Sequence, residues 1–143
     1  FSSKQDCFIA AYETVAGVIL AEVERNATGP GTELDRFERT ITAYLDALAA
    51  EPAFARLFMV EVYAAGDRVL EARAEVRGRF VELVITTFGA RTPGERFACE
   101  ALVASVITLV TARLAARDVD GLRALRGPLT ELVRAALQVS ARR

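Results

Sequence analysis

Apolar residues recur every three or four positions along most of the chain, a spacing that places them on one face of an α-helix. The first such stretch covers residues 1–26, where Ser3 and Asp6 are spaced as a capping box. Its stripe consists of Phe8, Tyr12, Val15, Ile19 and Val23, with a second apolar flank through Ile9, Ala16 and Leu20. A helix that is apolar around most of its circumference is normally surrounded by protein. We therefore predict that the other helices pack around residues 3–26.

Turn and capping residues divide the rest of the chain into further helices. Thr32 with Asp35 and Thr92 with Glu95 are spaced as capping boxes, and Pro52 stands where the first turn of a helix accepts proline. Glycines mark the expected helix ends. The predicted helices cover 3–26, 32–50, 52–65, 67–88, 92–117 and 128 to near the C-terminus, with one short turn over 122–126. Because no segment alternates with period two for long enough to form a strand, we predict an all-α fold with six main helices.

The last two long helices are unusually apolar for the periphery of a monomer. Residues 97–112 contain one charge, Glu100, and residues 129–137 contain two, Glu131 and Arg134. A surface helix normally has one solvated face, so we predict an orthogonal bundle whose last two long helices form a four-helix interface in a homodimer. The alternative is that both helices are internal to the monomer. The predicted interface residues are Leu102, Val106, Leu109, Val110, Leu129, Leu132, Val133, Ala136 and Leu137.

Composition argues against several classes of function. The chain has 143 residues, enough for one domain with a good core, a net charge of −1 and no histidine. Without histidine, most zinc, haem and di-iron sites and all histidine-based catalysis are excluded. The sequence also lacks a phosphate-binding loop, so we expect no enzymatic activity, no catalytic residue, no metal and no cofactor. The balanced charge argues against nucleic-acid binding by these residues themselves.

Cysteine usage and hydropathy bear on the compartment. Cys7 and Cys99 both lie in apolar helical stretches, and we predict two buried free thiols in a reducing cytoplasm rather than a disulfide. The uncharged run 101–112 is shorter than the roughly 20 residues that span a bilayer. The chain starts directly in a capped helix rather than in a signal peptide. We therefore predict a cytoplasmic protein without a membrane partner.

Residues 1–13, FSSKQDCFIAAYE, resemble the segment that closes the DNA-binding domain in the TetR family of bacterial transcriptional regulators. Phe1 corresponds to the aromatic residue that ends the recognition helix, Ser3-Lys4 to the turn that follows, and Asp6 to the capping acid. Residues 57–66, LFMVEVYAAG, are similar to a stretch of the family's regulatory domain. The order of the predicted helices is also similar.

The resemblance implies that residues 1–143 form the effector-binding and dimerisation domain of a regulator, most often a repressor. Residues 1–4 would then be the remnant of a junction to a helix-turn-helix domain of about 45–50 residues encoded upstream. Operator DNA would be bound only through that absent domain. Within this sequence, Lys4 is a candidate contact to a DNA phosphate, and a solvated lysine is the alternative. Effector binding would tilt the helix 3–26 and lower operator affinity.

The resemblance also implies an effector pocket among the helices around the first one. Apolar walls would come from Phe37, Tyr44, Phe58, Met59, Phe80, Val84 and Phe97, for which plain core packing is the alternative. The polar candidates, which interrupt apolar stripes, are Glu61, Arg73, Thr87 and Thr108. Because buried charges are costly unless they are paired, Glu61 and Arg73 either pair with each other or contact a ligand. We expect a small apolar or amphipathic effector.

A second hypothesis is a helical adaptor without DNA or ligand function. Its partner protein would bind the apolar faces of residues 97–112 and 129–137. A monomer with an exposed apolar face would favour the adaptor, whereas a stable homodimer would favour the regulator.

Overall fold

The computed structural model describes residues 3–142, and the predicted junction residue Phe1 lies outside this range. The α-helices are α1 (Lys4–Ala27), α2 (Glu33–Ala50), α3 (Pro52–Met59), α4 (Asp67–Phe88), α5 (Pro93–Ala115), α6 (Val119–Ala124) and α7 (Arg126–Ala141), with a 3₁₀ turn over Glu61–Ala64. Residues 3–142 contain no strand, which confirms the all-α prediction. Six of the helices have eight residues or more, and α6 is the short additional one.

Side-chain caps fix several helix starts where the sequence predicts them. The amide of Asp35 donates to the Thr32 hydroxyl at 3.1 Å, and the Thr32 amide donates to the Asp35 carboxylate at 2.9 Å. Thr92 and Glu95 repeat this reciprocal arrangement at the start of α5. In α1, the Ser3 hydroxyl accepts a hydrogen bond from the Asp6 amide at 3.1 Å. These bonds satisfy first-turn amides that have no partner within the helix.

The structure corrects three predicted helix boundaries. The helix predicted over 52–65 ends at Met59 and gives way to the 3₁₀ turn, which tightens the chain before Gly66 reverses it at a φ of +102°. The short turn predicted over 122–126 is the helix α6, which begins earlier because the Asp118 carboxylate accepts from the Gly121 amide. The last helix begins before Pro128, which lies in its first turn, where proline is tolerated.

The helix at the centre of the bundle is α2 rather than α1. Helix α2 packs against α1, α3, α4, α6 and α7, and it buries Phe37, Ile41, Leu45, Leu48 and Ala49. Helix α1 contacts mainly α2 and α4, and it buries Tyr12, Val23 and Ala27. Its opposite flank remains accessible, with Val18 68% exposed. The prediction that α1 is surrounded by protein is therefore wrong, because its main neighbours lie on one side.

Two hydrophobic clusters contain most of the buried apolar side chains. The smaller cluster contains the buried side chains Tyr12, Phe58 and Val76, from α1, α3 and α4. The larger cluster joins α2, α5, α6 and α7 with one residue of α3, and its buried members are Phe37, Ile41, Leu45, Leu48, Ala49, Ala55, Val106, Val110, Leu114, Leu122, Leu125, Leu129 and Val133. The two clusters meet between α2 and α4, and that boundary positions the candidate site.

The structure places four of the nine predicted interface residues inside the chain's own core. These are Val106, Val110, Leu129 and Val133, each at most 8% exposed. All four are buried members of the larger cluster. Leu102, Leu109 and Leu137 are partly buried against the same cluster, whereas Leu132 and Ala136 are exposed.

Helix α5 is nevertheless apolar and largely uncovered. Only 28% of its most apolar 18-residue stretch is buried. Phe97, near its start, is 69% exposed, and Leu132 and Val139 of α7 are 53% and 55% exposed. By length and composition α5 could also cross a membrane, a criterion that core helices of soluble proteins meet as well. The described chain thus presents apolar surface on both α5 and α7.

The two cysteines are free thiols in different environments. Cys99 is buried, as predicted, and burial raises the pKa of its thiol. Cys7 is exposed, so the prediction that it is buried is wrong. It lies on the solvent side of the first turn of α1, away from the stripe that carries Phe8 and Tyr12.

Candidate ligand-binding site

A partly enclosed cavity of about 100 Å³ lies between α1, α2, α4 and α5, with Met59 of α3 at its edge. It occupies the boundary between the two hydrophobic clusters, because it is lined both by Tyr12 and Val76 of the smaller one and by Phe37, Ile41 and Val106 of the larger one. The other lining residues are Val23, Thr40, Tyr44, Arg73, Arg77, Phe80, Leu83, Val84, Thr87, Phe88, Leu102, Val103 and Ile107. The walls are mostly apolar with a few polar groups, as in typical small-molecule sites.

Aromatic rings hold the walls apart. Phe37 of α2 and Phe88 of α4 pack with ring centroids 6.0 Å apart. Tyr44 of α2 and Phe80 of α4 meet edge-on at 5.8 Å, about two helical turns later in α2 and two turns earlier in α4. Both separations fall in the range of favourable aromatic pairs. Helices α2 and α4 are thus spaced by rings at two levels, and the space between them remains unfilled.

The polar end of the cavity is formed by Arg73 and the tyrosines around it. Arg73 and Arg77, one turn apart on α4, both line the cavity, as do Tyr12 and Tyr44. The Arg73 guanidinium lies over the ring of Tyr63, 4.7 Å from its centroid, in a cation–π contact. Within residues 3–142, the Arg73 guanidinium forms no hydrogen bond or ion pair with the protein. Its donors are therefore available to solvent or to a ligand.

Both cavity tyrosines are held in the neutral form. Burial raises the pKa of the Tyr44 phenol well above its usual value, and the nearby Tyr12 phenol raises it further, against an opposing effect of Arg73. Burial likewise raises the pKa of Tyr12, again opposed by Arg73. At neutral pH, Tyr12 and Tyr44 therefore present O–H groups that can donate to an acceptor or accept from a donor.

Two threonines in the cavity wall differ in their hydrogen bonding. The hydroxyl of Thr87 donates to the Leu83 carbonyl at 2.8 Å, within α4. The hydroxyl of Thr40 on α2 is buried and has no protein partner among residues 3–142. A buried hydroxyl without a partner is unfavourable, so Thr40 marks a point where a guest molecule or water gains a hydrogen bond.

A wider groove of about 410 Å³ adjoins the cavity between α1, α2 and α3. Five residues line both spaces: Tyr12, Tyr44, Met59, Val76 and Phe80. Apart from Thr14, Glu51 and the two tyrosines, the groove is lined by apolar side chains, and it reaches the surface beside the exposed side chains of Val18 and Phe54. The Tyr44–Phe80 pair is therefore one part of the wall that the inner cavity and the outer groove share.

Most of the pocket residues predicted from the sequence line this cavity. Phe37, Tyr44, Met59, Arg73, Phe80, Val84 and Thr87 do so directly. Phe58 lines the groove instead, with its ring packed against those of Phe8 at 5.4 Å and Tyr12 at 5.6 Å. Leu102 and Val106, which the sequence assigns to a dimer interface, line the cavity instead.

Three predicted site residues lie elsewhere, and all three are exposed: Glu61, Phe97 and Thr108. The Glu61 prediction assumed a continuous helix through residue 65. The change to a 3₁₀ turn after Met59 alters its direction and leaves its side chain in solvent. No ion pair joins Glu61 to Arg73 in the part of the chain that the structure describes. Phe97 and Thr108 are exposed because they lie on the side of α5 opposite Val103, Val106 and Val110.

The start of α1 is bonded to the start of α4, the helix that carries Arg73. The Gln5 amide donates to the Ala65 carbonyl at 2.8 Å. Asp6 forms an ion pair with Arg68 at 2.7 Å. These two contacts join the first turn of α1 to residues at and just before the start of α4. Lys4, the predicted phosphate contact, is exposed in the same first turn.

No family model, curated protein or solved structure matches this chain significantly. Across residues 3–142, no three histidine, cysteine, aspartate or glutamate side chains come together as metal ligands. The chemistry of the candidate site therefore consists of an apolar cavity, two arginines, two neutral phenols and one unpaired hydroxyl.

Proposed function

We propose that this chain is the effector-binding and dimerisation domain of a TetR-like transcriptional regulator that acts in the cytoplasm. The observation that carries the proposal is the cavity against α1 and α4, together with the contacts that join the first turn of α1 to Ala65 and to Arg68 of α4. The resemblance of residues 1–13 and 57–66 to that family supports the same assignment. Operator DNA would be bound by a helix-turn-helix domain preceding α1.

The proposed mechanism is a tilt of α1. An effector between α2 and α4 would push α4 outward, because the inner cavity is too small for most metabolites without movement. The ion pair Asp6–Arg68 and the hydrogen bond from Gln5 to the Ala65 carbonyl would carry that shift to the start of α1. In a dimer, tilting both α1 helices changes the spacing of the two DNA-binding domains. Effector and operator then oppose each other's binding by the same factor.

The proposed homodimer uses the uncovered faces of α5 and α7. Phe97, Leu132 and Val139 are large apolar side chains at least 53% exposed. Exposed apolar patches of this kind mark interaction surfaces in soluble proteins. Two helices from each copy would bury them in a four-helix arrangement. The interface would then consist of the outward residues of these helices rather than Val106, Val110, Leu129 and Val133.

The test uses the full-length protein, including the residues encoded upstream of Phe1. An operator sequence would be selected from a random-sequence DNA pool by binding to the protein. An effector would be found by screening for compounds that raise the melting temperature of the protein. We expect the effector to weaken DNA binding at saturation. The proposal is contradicted if DNA binding is unchanged at a saturating concentration of effector. It is also contradicted if the sequence upstream of Phe1 has no helix-turn-helix pattern.

A matched pair of variants tests the coupling between α4 and α1. Arg68→Gln removes the ion pair to Asp6, whereas Arg79→Gln removes an exposed arginine of the same helix that forms no ion pair within residues 3–142. We expect Arg68→Gln to retain effector binding but to reduce the effect of the effector on DNA affinity. Arg79→Gln should behave as the parent protein. Equal behaviour of the two variants would exclude this route.

A helical adaptor is the second candidate function, and the exposure of Phe97 favours it. A partner protein could cover the α5 face in place of a second copy. Sedimentation equilibrium of this chain separates the two functions. A concentration-dependent dimer supports the regulator, and a monomer at every concentration supports the adaptor.

A further inference from the structure

The charge inside the cavity has one sign. Its lining includes the side chains of Arg73 and Arg77 and no carboxylate. The sequence suggests a neutral pair, Arg73 with Glu61, but Glu61 is exposed on the 3₁₀ turn outside the cavity. A partly buried cation without an ion pair is unfavourable, and an anion supplied by a ligand would relieve this cost.

The donors at this end of the cavity converge on one region. The Arg73 guanidinium packs on the Tyr63 ring, and Arg73 lines the same cavity as Tyr12 and Tyr44. A guanidinium offers a planar fork of N–H donors that matches the two oxygens of a carboxylate. Arg77, one turn further along α4, is exposed and adds positive charge at the solvent side.

The rest of the space suits an apolar chain. Beyond the arginines the walls are mainly aliphatic and aromatic side chains of α2, α4 and α5. The inner cavity of about 100 Å³ is smaller than the roughly 150 Å³ apolar cavity that admits benzene. A longer chain therefore has to pass the Tyr44–Phe80 contact into the groove of about 410 Å³, whose acidic residue is Glu51. This arrangement favours an acidic group at Arg73 and an uncharged tail in the groove.

We infer that the effector is an anionic amphipathic molecule, with its carboxylate or equivalent acidic group at Arg73 and its apolar chain between α2 and α4. This inference rests on the proposed ligand-sensing function and specifies the ligand class of that site. It narrows the expectation of an apolar or amphipathic effector to an anionic one, because Glu61, the carboxylate expected inside the site, is exposed outside it.

Three probes with the same ten-carbon chain test the inference on this chain alone: decanoate, decanol and decyltrimethylammonium, each below its micelle-forming concentration. The chain has three tyrosines and no tryptophan. Tyr12 and Tyr44 line the cavity and Tyr63 contacts Arg73, so tyrosine emission reports on this site. We expect decanoate to bind at least about tenfold more tightly than either of the other probes, as for a hydrogen bond to a charged group.

Variants of Arg73 identify the source of the preference. Arg73→Gln should remove the preference for decanoate over decanol, and Arg73→Lys should retain part of it. Arg79→Gln, on the same helix but outside the cavity lining, should leave it unchanged. Circular dichroism confirms that each variant is folded.

The inference is overturned if decanol or the cation binds as tightly as decanoate, if no probe binds, or if Arg73→Gln keeps the full preference. None of these measurements involves DNA or dimerisation. The protein could dimerise and release DNA with another ligand and still fail the probe test. That result would overturn the inferred ligand class but would be consistent with the proposed function.

Discussion

The ring of Phe80 meets the ring of Tyr44 edge-on with centroids 5.8 Å apart, and both side chains line the inner cavity and the outer groove. Each ring belongs to a different helix, so the contact fixes the distance between α2 and α4. The same two rings form part of the wall that the two spaces share. Removal of the contact should therefore change both the stability of the bundle and the size of ligand that it accepts.

Phe80→Ala tests this relationship. The substitution removes a partly buried ring and joins the cavity to the groove, and we expect the free energy of unfolding to fall by about 2–4 kcal/mol. Urea denaturation followed by circular dichroism measures this loss. Phe54→Ala is the matched control because Phe54 is 57% exposed, and it should cost about 0.5 kcal/mol or less. A similar loss in both variants would mean that Phe80 does not support the spacing of the helices.

Thr40→Val tests whether the unpaired hydroxyl is unsatisfied in the ligand-free protein. Valine has nearly the same shape and removes a buried polar atom without a protein partner, so we expect stabilisation by about 1 kcal/mol. Thr42→Val on the same helix is the control, because the Thr42 hydroxyl donates to the Glu38 carbonyl at 2.7 Å. That variant should gain no stability. Destabilisation by Thr40→Val would indicate an ordered water bound to the hydroxyl.

The helical framework could be predicted from the sequence because its signals are local. Capping interactions and helix-ending glycines act within one helical turn. The structure contains the predicted capping boxes Thr32–Asp35 and Thr92–Glu95, and α4 ends at Gly89 as predicted. The predicted identity of the central helix was wrong, because burial depends on how many helices pack on each face. The apolar flank of α1 around Val18 has the same local pattern as a buried one.

The site was predicted only in part, for a related reason. Arg73 could be found because it interrupts an apolar stripe, and Arg77 could have been found from its position one turn away. The Glu61 prediction is wrong because the α-helix ends at Met59 and a 3₁₀ turn follows, and no glycine or proline marks that change in the sequence. The sequence does not show that the Thr40 hydroxyl lacks a hydrogen-bond partner, because this depends on which side chains pack around it.

Gly66→Ala tests the junction between α1 and α4. Gly66 has a φ of +102°, which disfavours any residue with a Cβ, and a Cβ at this position would displace the side-chain amide of Gln5 that donates to the Ala65 carbonyl. We expect the free energy of unfolding to fall by at least about 1–2 kcal/mol. Gly78→Ala, in the interior of α4 with open space around it, should instead raise stability by about 0.5–1 kcal/mol. If both substitutions stabilise the protein, the junction is not constrained as described.

The buried phenol of Tyr44 predicts a loss of stability at alkaline pH. Below the ordinary phenol pKa of 10.0, Tyr44 is protonated in both the folded and the unfolded chain. Above that pH the unfolded chain releases the proton while the folded chain retains it, so the free energy of unfolding falls as pH rises, by up to about 1.4 kcal/mol per pH unit. Urea denaturation at about pH 8 and about pH 11 measures the change. Tyr44→Phe should reduce this pH dependence, and an unchanged dependence would show that the Tyr44 phenol is not shielded.

Leu132→Glu tests the proposed dimer face without disturbing the core. Leu132 is 53% exposed, so a carboxylate there remains solvated in a monomer but would be buried and unpaired in a four-helix interface. We expect the variant to stay folded while its dimer dissociation constant rises more than about a hundredfold. Gln138→Glu adds the same charge to another side of α7 and should still dimerise. Sedimentation equilibrium at several concentrations distinguishes the two variants. If Leu132→Glu remains a dimer as stable as the parent, the copies associate through another surface, and the exposed face of α7 is then free for a different partner.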